Sequence, residues 1–184
     1  GRGPAATAAR HAGAGTARIA GYDTVAEAET VRSLIGLLTE LPGLYNRMRA
    51  PEYLDFFGAV QGMAPDVRRA RADAMLQQFD LGYARDRRLG AYSKGMRQRA
   101  RVAAALVHEP TILLLDEPFN GMDPRQRLHM MALLRTMAAE GRTILFSSHI
   151  LEEVERLADS VPVVYAGRLA AAGAFRSIRR PVPD

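Results

Sequence analysis

The sequence predicts an α/β fold, a mostly parallel sheet with an inserted helical lobe. Three observations carry this. TILLLD (111–116) is a continuous apolar run ended by an acid, the pattern of a strand buried on both faces of a parallel sheet. RTILFSS (142–148) reads as a second buried strand, and the segment between the two has helical spacing, which gives strand–helix–strand alternation. Residues 41–92 are instead helical, and form the insertion.

In order, Ala17–Ala20 reads as a short strand followed by the turn GYD. Thr24–Leu34 is a predicted helix, with Val25, Ala28, Val31 and Ile35 near helical spacing, and IGLL (35–38) a buried strand. LPGLY (41–45) is a turn. Pro51–Met63 and Pro65–Phe79 are helices, each opened by a proline suited to a first turn. Ser93 caps a helix whose apolar face carries Met96, Ala100, Ala103 and Val107. Asp123-Pro124 starts another, with Leu128, Met131, Leu134 and Ala138 on one face and Gly141 as its stop. LEEVERLAD has acids in its first turn, where the helix dipole favours them. VPVVYAGRLAAAG is a pair of strands around Ala166-Gly167. Residues 1–15, Gly/Ala-rich and without period, read as a disordered or misplaced leader, and residues 16–184 as one partial domain.

At 184 residues, 48% hydrophobic and 24% charged, the chain suits one globular domain. No apolar run reaches the roughly 18 residues of a membrane span, and no signal-peptide pattern opens the chain. The absence of cysteine excludes a disulfide framework. A net charge of +5 is spread along the whole chain, and few aromatics accompany the densest basic region, Arg85 to Arg101. Direct nucleic-acid binding is therefore not expected.

The chemistry lies at strand ends. Asp116 and Glu117 stand just past the carboxyl end of TILLLD, where open α/β sheets bind ligands. Adjacent acids there divide labour in nucleotide hydrolysis: one holds Mg²⁺, usually through water, and the next polarises the attacking water. The alternative is a strand ending in two solvated acids. SSHI delivers His149 to the same sheet edge, where it can donate to a γ-phosphate or serve only as a helix-entry residue. The remaining histidines have no metal-ligand spacing, and Asp123 has a sufficient explanation as an N-cap.

In this order the motifs resemble those of the nucleotide-binding subunits of ABC transporters, of the exporter or ABC-2 type. TILLLDEP is similar to Walker B with its catalytic acid, NGMDP to the D-loop, and SSHILEEVE to the switch-histidine region. YSKGMRQR resembles the signature motif, IGLLTELPGLY occupies the Q-loop position, and GTARIAGYD resembles the preceding strand and turn. The resemblance implies a P-loop NTPase-type fold with ATP and Mg²⁺ as cofactors. It implies Asp116 as the metal residue and Glu117 and His149 as the catalytic pair. Ser93, Gly95, Glu40 and Asp123 would be the nucleotide-contacting residues. It further implies two partners: a membrane permease, faced by the 41–92 lobe, and a second ATP-binding subunit in a homo- or heterodimer. The location would be cytoplasmic, peripheral on the inner face of the membrane.

Two departures stand out. Glu40 replaces the usual Q-loop glutamine, and a carboxylate cannot donate a hydrogen bond. No G-x-x-x-x-G-K-[ST] occurs in these residues, so the expectation is a domain truncated at its N-terminal side. Such a chain should expose apolar strand edges, and alone it should neither bind ATP tightly nor turn it over. A second reading is a non-catalytic module lending its signature motif to a complete subunit. A third is a soluble ATPase of this type acting in DNA repair or translation.

Lys94, the chain's only lysine, precedes its glycine and follows no buried strand, unlike a phosphate-loop lysine. It adds a cation to a helix N-terminus, and Arg97 with Arg101 are like charges at i,i+4. An anion arriving there would relieve both, with Gly95 leaving its N–H open. By resemblance, that anion is the γ-phosphate of ATP bound to the opposite subunit.

Overall fold

The computed structural model describes residues 16–39 and 45–175. They fall into two compact units divided between Leu34 and Ile35. In the first, β1 (Arg18–Ile19) and β2 (Tyr22–Asp23) pair antiparallel, and α1 (Ala28–Leu34) follows. Asp23 accepts hydrogen bonds at Oδ1 from the amides of Val25 and Ala26, both at 2.9 Å. The resulting turn occupies residues predicted to be helical and delays α1 to Ala28.

The second unit is built on a parallel sheet of β3 (Ile35–Leu38), β4 (Ile112–Asp116) and β5 (Thr143–Ser147), in that order. Between β3 and β4 lie α2 (Ala50–Val60), α3 (Pro65–Gln78) and α4 (Lys94–Leu106). The predicted lobe is thus α2, α3 and two short 3₁₀ turns. It is fastened to α4 by Arg99, which is buried and donates to the carbonyls of Phe79 at 2.8 Å and Asp80 at 3.1 Å. The core joins the lobe to the sheet through Leu54, Leu76, Leu106, Leu113 and Leu134.

After β4 come α5 (Pro124–Ala139), α6 (Leu151–Leu157) and the antiparallel pair β6 (Val161–Tyr165) and β7 (Arg168–Gly173). On α5 the buried face is Met130, Met131, Leu134 and Met137, while Leu128 and Ala138 are exposed. The face is therefore offset from the predicted one, because methionines on the adjacent row meet the core.

The larger difference is β5. It was expected to be buried, yet Leu145 is 55% exposed. Only β4 pairs with it among the described residues, and its other edge opens on a groove of about 1100 Å³ bounded across by Val161 and Pro162 of β6. The exposed apolar edge expected from the sequence is located here.

Candidate functional site

β4 and β5 run in register, with Asp116 opposite Ser147. Their carboxyl ends therefore release Asp116, Glu117, Ser148 and His149 on one edge of the sheet. Ser147 ties the two acids: its hydroxyl donates to Asp116 Oδ1 at 2.5 Å and accepts from the Glu117 amide at 3.0 Å. Glu117 itself has φ +47°, a left-handed conformation that costs a non-glycine residue on the order of 1–3 kcal/mol and persists only where its surroundings hold it.

His149 meets Glu117 twice. Its ring Nδ1 lies 2.8 Å from Glu117 Oε1, and its main-chain amide donates to the same oxygen at 3.1 Å. The hydrogen bond and the charge of Glu117 both raise the His149 pKa above its ordinary value. With Nδ1 carrying a proton toward Glu117, Nε2 faces outward, and becomes a donor when the ring is protonated. Glu117 Oε2 carries no hydrogen bond from the described residues.

Asp116 is exposed, and its second oxygen is likewise without a described partner. Among the described residues there is no cluster of three or more acidic, histidine or cysteine side chains that would cage a metal. One accessible carboxylate suits Mg²⁺, which keeps much of its coordination in water and substrate phosphates.

Ser93 caps α4, its hydroxyl accepting from the Met96 amide at 3.2 Å, and it is exposed. Gly95 is buried, and its missing side chain makes room for the chain's own turn at Gly121–Gln126. The like charges of Arg97 and Arg101 are also met internally: Arg97 donates to the Tyr92 carbonyl at 2.5 Å, and Arg101 to Gln98 Oε1 at 3.2 Å. Neither residue needs an anion to be accommodated. Asp123 caps α5 as predicted, accepting from the Gln126 amide at 2.8 Å. Glu40 lies outside the described residues.

Sequence reasoning missed Ser147 and Glu153. The first-turn position of Glu153 predicts a helix-dipole acid, but it is 2% exposed, lies 3.1 Å from Arg127 of α5, and accepts from the Ser148 hydroxyl at 2.5 Å. It ties the segment carrying His149 to the helix that follows the acid pair. Periodicity could not reveal it, because its partners come from other elements.

A parallel sheet whose carboxyl edge gathers an acid pair and a histidine is an α/β fold of P-loop NTPase type. The chain belongs to the ABC transporter family, whose pattern it matches over residues 6–120. It is 39% identical to the ABC transporter ATP-binding protein NatA of Bacillus subtilis, over 89% of this chain and 67% of that protein. It is 40% identical to the daunorubicin resistance ATP-binding protein DrrA3 of Streptomyces coeruleorubidus, over 87% of this chain and 51% of that one. With the Nod factor export ATP-binding protein I of Burkholderia lata it shares 36% identity, over 89% and 54%. A solved structure of an ATP-binding subunit of an ABC transporter superposes with a TM-score of 0.76 at 31% identity, covering 86% of this chain and 66% of that one. The chain thus spans between about half and two thirds of the length of these relatives.

Proposed function

We propose that the chain is the ATP-hydrolysing part of an exporter's nucleotide-binding subunit. The observation that carries this is Glu117, held by His149 at the carboxyl edge of the parallel sheet with one carboxylate oxygen still able to address water. Glu117 orients and polarises the attacking water. His149 donates from Nε2 to the transferred phosphoryl group, and its raised pKa favours the protonated ring that this needs. Asp116 would help to hold Mg²⁺ with its second oxygen, Ser147 fixing the first. When bound, MgATP supplies the phosphoanhydride and the Lewis-acid charge that neutralises its oxygens.

Ser93 and the N-terminal turn of α4 serve a second nucleotide, bound mainly by a partner ATP-binding subunit, homo- or heterodimeric. Gly95 contributes through a main-chain N–H at that turn, Asp123 through the D-loop beside it, and Glu40 through the Q-loop. The lobe around residues 41–92 faces a membrane permease, which places the protein on the cytoplasmic face of the membrane. No described helix is long and apolar enough to cross a membrane. A nucleic-acid partner has no part in this reading.

These residues hold no G-x-x-x-x-G-K-[ST] cradle. On its own, a polypeptide of the 184 residues accordingly binds ATP weakly and does not turn it over, and affinity in the micromolar range would overturn that statement. The catalytic reading is tested with these residues joined to a segment that supplies the phosphate cradle, in membranes carrying the permease. There Glu117→Gln should lower the turnover contributed by this chain by roughly 10²–10⁴-fold. Turnover indifferent to Glu117→Gln but lost with Ser93→Ala would favour the non-catalytic partner module instead.

A further inference from the structure

The first turns of α4 meet the loop after β4 in two separate places. At one, Gly95 and Gly121 lie close together, and a side chain on either would displace a neighbour. A Cβ on Gly95 would stand 2.6 Å from Gln126 Oε1 and 3.0 Å from the Gly121 carbonyl, and one on Gly121 would stand 2.5 Å from a methylene of Lys94. The aliphatic part of the lone lysine lies across that glycine. At the other place, Gln98 reaches from α4 to the acid itself. It is 6% exposed, and its Nε2 donates to the carbonyls of Glu117 at 3.0 Å and Pro118 at 3.2 Å.

The orientation of the Gln98 amide is fixed by chemistry. Its Oε1 accepts from Arg101 Nη1 at 3.2 Å, and a guanidinium only donates, so the nitrogen end must face Glu117. Arg101 also donates from Nη2 to the carbonyl of Thr39, the residue after β3. A line of contacts therefore runs from the end of β3, through α4, to the end of β4.

Glu117 needs such holding. A non-glycine residue at φ +47° returns to a commoner conformation unless its neighbours prevent it. Its amide is held by Ser147 and its carboxylate by His149, while its carbonyl receives Gln98 and the Asn120 amide at 3.1 Å. Of the two donors on the carbonyl, only Gln98 comes from outside the turn.

We propose that Gln98, oriented by Arg101, is a positioning residue for Glu117 that makes the signature helix and the hydrolytic acid of one chain move as a single body. The inference rests on the roles given above to Glu117 and to the N-terminus of α4. In a dimer of the proposed kind these two groups serve different nucleotides. A phosphate seated at α4 would then be felt at the acid of the other site through one side-chain amide.

The test reads hydrogen bonds in the isotopically labelled 184-residue chain without nucleotide, so its failure is separable from failure of the ATPase reading. In the unsubstituted chain, the Gln98 side-chain amide protons should exchange with solvent at least about tenfold more slowly than those of exposed Gln77. Gln98→Met keeps the volume and removes the donor, and should shift the Glu117 and Pro118 carbonyl carbon resonances. Arg101→Lys retains a donor toward Oε1 and should preserve the Glu117 signal, whereas Arg101→Met should shift it. A role in packing alone would move neither carbonyl. Exchange at Gln98 as fast as at Gln77, or unmoved carbonyl resonances in a folded Gln98→Met chain, overturns the proposal. Should Gln98→Met fail to fold, the exchange comparison in the unsubstituted chain decides.

Discussion

One oxygen of Glu117 receives His149 from two directions, the ring Nδ1 at 2.8 Å and the main-chain amide at 3.1 Å. The contact raises the pKa of a ring that is 74% exposed. His149 therefore stays charged above the ordinary value of 6.5. Its stabilising pairing is complete below that pH and is lost as pH rises through the raised value. Following the ring protons with pH should give a midpoint above 6.5 in the unsubstituted chain and one that falls back toward it in Glu117→Gln. Identical midpoints in the two chains would refute the pairing.

The buried Glu153–Arg127 contact makes a stability prediction with a direction. Removing Arg127 strands a carboxylate that is 2% exposed, whereas removing Glu153 leaves a guanidinium that reaches solvent. Arg127→Met should cost about 2–3 kcal/mol in urea unfolding, below the full range for a buried pair because the arginine is itself partly exposed. Glu153→Gln should cost less, and adding Glu153→Leu to Arg127→Met should recover most of the loss. Equal losses for the two single variants would contradict this account.

At Asp123, cap and charge can be separated. Asp123→Ala removes the acceptor for the Gln126 amide and should lower stability by about 1 kcal/mol, while Asp123→Asn keeps the cap and should cost only a few tenths. Thermal or urea unfolding of the pair decides. Any larger functional loss in Asp123→Asn would then report the charge and not the helix.

Two leucines on neighbouring strands test the open groove. Leu113 of β4 is fully buried and Leu145 of β5 is 55% exposed. Leu113→Ala should cost about 2–5 kcal/mol, and Leu145→Ala under about 0.5 kcal/mol. Leu145→Lys should leave stability nearly unchanged and reduce self-association in sedimentation or light scattering, since a charge on an exposed strand opposes edge pairing. A cost at Leu145 comparable to that at Leu113 would mean that the groove is covered in solution.

The sequence was most legible where a residue's environment is set by its own element. The apolar run ending at Asp116, the caps Ser93 and Asp123, and the pair of strands around Ala166-Gly167 all follow from local chemistry. It was least legible where another element decides. The run in β5 announces a strand but not whether a neighbour covers its second edge. The apolar residues of α5 fit two adjacent rows, and only the packed sheet selects the one carrying Met130 and Met137. The acids and His149 could be placed at one edge from sequence, but the residues that aim them could not. Ser147, Gln98 and Glu153 are ordinary polar positions in their own segments, and acquire meaning from partners 5 to 31 residues away.

The left-handed backbone at Glu117 sets stability against chemistry at a single position. Glycine would relax that turn at no steric cost, and asparagine at little, while either would give up the two contacts that His149 makes with the carboxylate. On the proposed function, neither could polarise water. Glutamate at 117 is thus held by its partners against its own backbone preference, and a variant that lost His149 would leave that preference unopposed on one side.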